Sequence, residues 1–93
     1  MITVVEKYVI KPRKIGAFKI IINEIIEETR KEKGCISYEL IEEISDYNNI
    51  FTLIAEWESE DDIKEHNKSI HIKFLMPQID RYKEDIEELE IAI

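Results

Sequence analysis

One cysteine, two glycines, two prolines and a single tryptophan are all that this 93-residue chain holds of the residues that staple or punctuate a small fold. The lone Cys35 excludes an intrachain disulfide and a cysteine-built zinc site, and its default role is a small buried hydrophobe. A single thiol fits a reducing cytoplasm, the compartment expected here. Glycine and proline are too scarce for a linker or a disordered tail, and no low-complexity segment or internal repeat is visible. No apolar run approaches the roughly 18 residues of a membrane span, and Met1–Lys7 lacks the basic leader and apolar stretch of a signal peptide. Positive charge is also in deficit, with 13 Lys and Arg against 21 Asp and Glu and a formal net charge of −8. Without a dense basic stripe, nucleic acid and anionic membrane are both excluded as expected partners. There is no Gly-rich phosphate loop, and no Ser-His-Asp or Cys-His set has supporting spacing.

What remains is a compact composition, 44% hydrophobic and 37% charged, read as one domain over residues 1–93. At this size a lone chain buries only a modest share of its surface and often recruits a partner. Ile2 to Ile10 is dense in Val, Ile and Tyr and stops at Lys11-Pro12, which predicts a strand. From Pro12 to Lys33, Ile15, Phe18, Ile22, Ile25, Ile26 and Thr29 recur at three- and four-residue steps and predict a helix with one apolar stripe, ended by Gly34. Ile20 falls off that stripe, either exposed or facing another subunit. Cys35–Glu43 and Asn49–Trp57 read as a hairpin around the Asp- and Asn-rich turn at 45–49. Ser59 is a natural N-cap for a helix over Glu60–Lys68, with three acidic residues in its first turn. Ser69 offers a second cap for a helix from Ile70 to Lys83, which Pro77 is expected to kink or break. Leu89, Ile91 and Ile93 alternate with Glu88, Glu90 and Ala92 as in a final strand.

The resulting order β-α-β-β-α-β predicts an α+β, ferredoxin-like antiparallel sheet. Strand one sets Val4, Tyr8 and Ile10 against Val5 and Val9, and strand three sets Phe51, Leu53, Ala55 and Trp57 against Ile50 and Ile54. Helices cover one sheet face only, so the second apolar face predicts a homodimer.

Chemistry-bearing residues concentrate in Glu56-Trp57-Glu58-Ser59 followed by His66, Ser69 and His71, which hold the only tryptophan and both histidines. His66 and His71 lie five apart, which separates them on a continuous helix, whereas a break near Ser69 turns both toward the sheet. Either is a natural general base for a phenol-like proton, or else a surface residue, with Asp62 placed one turn before His66 for an ion pair. Trp57 reads as core with an indole N–H near a pocket edge. Tyr38, Phe74 and Met76 read as packing residues that can also line a cavity, and Glu56 as a pocket carboxylate or an interface contact. The histidine spacing matches none of the familiar zinc patterns, so no metal ligands are assigned.

The Glu56–Ser59 and His66–His71 segments, together with Glu32-Lys33-Gly34-Cys35-Ile36-Ser37-Tyr38 and a first strand starting almost at Met1, resemble the antibiotic biosynthesis monooxygenase family over essentially the whole chain. The resemblance implies a dimeric α+β barrel and a cofactor-independent oxygenase. Its substrate would be a small aromatic or quinol held in a dry cavity between sheet and helices, with His71 or His66 as base. Trp57, Tyr38, Phe74, Met76 and Glu56 are the substrate-binding candidates. Relatives on this scaffold also isomerise small carbonyl compounds, or show no chemistry at all, so an isomerase and a non-catalytic binding dimer stand as alternatives. A haem-degrading branch relies on an asparagine, a tryptophan and a histidine where this chain has Lys7, His66 and Met76, so the haem reading is set aside.

Overall fold

The structure is a computed structural model that describes residues 1–43 and 49–84. Three antiparallel strands, β1 (Ile2–Val9), β2 (Cys35–Glu42) and β3 (Ile50–Trp57), form a sheet in the order β1-β3-β2. Helices α1 (Ile15–Arg30), α2 (Glu60–Asn67) and α3 (Ile70–Tyr82) complete the described chain. This is the ferredoxin-like α+β arrangement expected from the sequence, with the split second helical region. The alternating stretch at 88–93 and positions 45–48 of the turn expected at 45–49 lie outside the described residues. Among the described residues no helix is long and apolar enough to cross a membrane.

Alternation along β3 decides which face is covered. Phe51, Leu53, Ala55 and Trp57 are buried, and in register beside them stand Tyr8 of β1 and Tyr38 of β2. The stripe of α1 (Phe18, Ile22, Ile25, Ile26 and Thr29) is buried as the spacing predicts. Phe18 joins helix to sheet, its ring centroid 4.8 Å from Phe51 and 5.8 Å from Tyr8. Each such large side chain contributes about 1.5–3 kcal/mol relative to exposure. Ile79 of α3 is fully buried in the same core, whereas Ile20 is 70% exposed.

Several boundaries differ from expectation. Ile10 lies beyond β1 and makes an isolated bridge with Lys83. Pro12–Lys14 forms a separate 3₁₀ turn before α1, with Pro12 in its first turn, where the missing N–H has no intrahelical partner to lose. Helix α1 ends at Arg30, where the N–H of Lys31 bonds to the Glu28 carbonyl (3.2 Å) and that of Glu32 to the Thr29 carbonyl (3.0 Å). Gly34, at φ +83°, then turns the chain into β2 rather than stopping the helix. A bulge between Cys35 and Ser37 leaves Ile36 unpaired and 48% exposed. Helix α3 runs through Pro77 without a break. The carbonyl that loses its donor belongs to Lys73, an exposed residue whose backbone water can serve.

Candidate active site

The turn between α2 and α3 creates the site. Helix α2 starts at Ser59, whose Oγ accepts from the Asp62 N–H (3.2 Å) and donates to the Asp62 carboxylate (2.8 Å). Asp62 is therefore engaged at the cap, and the expected Asp62–His66 ion pair is replaced by another. The α2 helix stops at Asn67, and the N–H of Ser69 bonds to the His66 carbonyl (3.0 Å). Ser69 makes no side-chain cap; its hydroxyl donates instead to the same His66 carbonyl at 2.7 Å. This tight reversal brings His66, near the end of α2, and His71, at the start of α3, to one point.

That point is Glu32, in the turn after α1. Its Oε1 lies 2.8 Å from His66 Nδ1 and 3.0 Å from His71 Nε2. A carboxylate only accepts, so it holds the proton of His66 on Nδ1 and that of His71 on Nε2. In its neutral form each imidazole then keeps a lone pair on its far nitrogen. This is the arrangement by which a carboxylate orients a histidine base. Thr29 Oγ1, on the buried stripe of α1, sits 3.1 Å from His71 Nε2. The His71 side chain keeps 16% of its surface exposed against 9% for His66, so His71 is the more accessible of the two.

His66 packs between aromatic rings, its centroid 4.8 Å from Trp57 and 5.6 Å from Tyr38, which themselves meet edge-on at 6.4 Å. Trp57, Tyr38, His66 and His71 thus form one cluster. Met76 packs half-buried against the core. Phe74 stands apart, 65% exposed on α3. Glu56 points to the opposite sheet face, where it accepts from Ser37 Oγ at 3.0 Å. Burial, reinforced by the charge of Glu6, pushes the Tyr38 phenol far above its ordinary range, so it is a hydroxyl donor and not a base. Tyr8, also raised chiefly by burial, donates to Glu6 at 2.8 Å.

Two clefts open beside Arg30, whose Nε donates to the Tyr38 carbonyl at 3.0 Å. One, about 420 Å³, follows β2 past Cys35, Ser37 and Tyr38. The other, about 330 Å³, lies between α1 and the sheet and is lined by Asn23, Ile26, Leu40 and Phe51. Neither is lined by a histidine; Tyr38 links the larger one to the His66 ring. Sequence reading missed Glu32 and Thr29 as site residues. Glu32 opens the Glu32–Tyr38 motif, and Thr29 is the one polar residue in the α1 stripe, but nothing local ties either to histidines more than 30 residues away.

A two-histidine, one-carboxylate cluster under a ferredoxin-like sheet defines a small α+β protein with proton-transfer capacity. The profile of the antibiotic biosynthesis monooxygenase family matches residues 1–77, and the chain belongs to that family. It is 28% identical over 71 residues to a Bacillus subtilis protein named putative monooxygenase YcnE, covering 75% of this chain and 74% of that one. A crystal structure of a conserved protein from Methanosarcina mazei superposes with a TM-score of 0.85 at 34% identity, covering 89% of this chain and 81% of that one. A crystal structure described as an antibiotic biosynthesis monooxygenase gives 0.83 at 27% identity, over 91% of this chain and 88% of its own.

Proposed function

We propose that the chain is a monooxygenase that works without a bound cofactor on a small dihydroxyaromatic or quinol, with a Glu32-oriented histidine as base. His71 Nδ1, or His66 Nε2, takes the phenolic proton, and the resulting anion supplies the electrons that reduce O2. One oxygen atom ends in the product and the other leaves as water. The observation that carries this reading is the convergence of both imidazoles on a single carboxylate oxygen beside Trp57 and Tyr38. The site would act in a homodimer paired through the outer sheet face, in the reducing cytoplasm where the thiol of Cys35 stays unpaired.

Oxygen uptake on a panel of quinols and dihydroxynaphthalenes tests the reading. The parent protein should exceed the uncatalysed rate, and a His66→Ala, His71→Ala double variant should lose about 10²-fold or more of that excess. Uptake that never rises above background, or that ignores the double substitution, overturns it. Turnover of a carbonyl substrate that persists without oxygen would instead identify an isomerase.

A further inference from the structure

We infer that Glu32, His66 and His71 form a three-ligand site for one divalent transition-metal ion of the Zn²⁺, Fe²⁺ or Co²⁺ kind. Glu32 Oε1, His66 Nδ1 and His71 Nε2 all lie within 4.8 Å of one another, supplied by the turn after α1, by α2 and by α3. Two imidazoles and one carboxylate suit borderline first-row cations; an all-oxygen set would favour Mg²⁺ or Ca²⁺, and a thiolate set Cu⁺. Three protein ligands with further positions open is the pattern of reactive metal sites, in contrast to closed structural ones.

Two features favour a cation over a purely hydrogen-bonded cluster. Among the described residues the only ion-pair partners of Glu32 are these histidines, so its half-buried carboxylate has no permanent positive charge against it. His71 Nε2 is also surrounded by more oxygen than one N–H can serve: Glu32 at 3.0 Å, Thr29 at 3.1 Å and Ser69 at 3.4 Å. A cation uses that crowding, the carboxylate as a ligand and the two hydroxyls as partners for a metal-bound water. A tetrahedral ion with bonds of about 2.0–2.1 Å needs ligand separations of roughly 3.3 Å, so the Glu32–His66 and Glu32–His71 pairs, at 2.8 and 3.0 Å, open slightly, while the two histidine nitrogens, at most 4.8 Å apart, adjust by side-chain rotation. Glu32 lies 34 residues before His66, which is why spacing in the sequence does not reveal the set.

Metal binding requires each imidazole to carry its proton on the far nitrogen and to turn the facing lone pair to the ion. The far lone pairs that the proposed base step uses are then gone. Metal occupancy and metal-free base catalysis therefore exclude each other, and the ion acts as an off-state of the same residues.

The test is a titration of untagged protein with Co²⁺, read by visible absorption, and with Zn²⁺, read by calorimetry, without substrate. The parent should bind one equivalent with a ligand-field spectrum of low coordination number. Glu32→Gln and His71→Ala should each weaken binding by more than about 100-fold, since even residues behind the ligands cost 10–100-fold. Glu32→Gln is nearly isosteric and keeps the test valid should alanine at His71 unfold the chain, which circular dichroism reports. No binding at micromolar metal, or binding that both substitutions leave intact, overturns the inference. Because no turnover is measured, that failure leaves the oxygenase reading standing, and a failed oxygen assay leaves the metal site standing.

Discussion

At the scale of single residues, Glu32 concentrates the consequences. If its carboxylate orients the base, Glu32→Gln should lower kcat for oxygen uptake by about 10–100-fold, leave KM nearly unchanged and preserve the fold. A matching rise in KM would make Glu32 a substrate contact and not an orienting group. The same carboxylate reaches Cys35. Burial, first, and then Glu32 raise the thiol above its ordinary range, with Arg30 opposing. A raised folded value means that this contribution to stability is full below the ordinary thiol range and is lost as pH climbs through the raised one. At about pH 8 the native thiol should therefore react with a disulfide reagent more slowly than the urea-unfolded chain, and Glu32→Gln should speed the native reaction. Equal native and unfolded rates would contradict the shielding.

At the scale of elements, the joint that positions Glu32 depends on Gly34. An alanine there must hold a positive φ, and its Cβ would run into the side chain of Asp62. The strain costs roughly 1–3 kcal/mol, and losing the Ser59 cap costs about 1 kcal/mol. Because Asp62 serves both features, Gly34→Ala and Ser59→Ala should fall short of additivity in urea unfolding, with midpoints moving and slopes constant. Strict additivity would mean that the two turns are independent. The elements themselves were legible because each rests on local physics: α1 from a 3.6-residue apolar stripe, β3 from strict alternation, α2 from Ser59 and its acidic first turn. Pro77 does not end α3, because the carbonyl that loses its donor belongs to exposed Lys73, where water can serve. The site was half legible. The histidines stood out by rarity, and the break at Ser69 was readable, but Glu32 meets them only through packing of α1 against α3. Phe74 carries an aromatic ring suited to a cavity, yet its position on α3 turns it to solvent, which only the docked helix reveals.

At the scale of the whole molecule, the sheet decides the assembly. The face that no described helix covers sets Val5, Ile54 and Glu39 in one row and Lys7, Thr52 and Ile41 in the next. Val5 is 61% exposed and Ile41 49%, with Ile54 half-buried between the outer strands. A mixed face of this kind suits a dimer with apolar centre and polar rim better than a bare monomer surface. A rival patch exists on α3, where Ile70 and Phe74 stand one turn apart and largely exposed. The two surfaces separate by substitution. Light scattering at micromolar concentration should give twice the 11.1 kDa chain mass for the parent and for Phe74→Glu. Val5→Glu, which sets a carboxylate in the row of Glu39, should give the monomer mass, since an unpaired charge in an apolar interface costs more than such a contact supplies. A monomeric parent removes the dimer, and dissociation by Phe74→Glu with Val5→Glu still paired moves the interface to α3. In that second case the sheet face would be left to solvent and the helices that carry His66 and His71 would meet the partner, so access to the histidine cluster would depend on assembly.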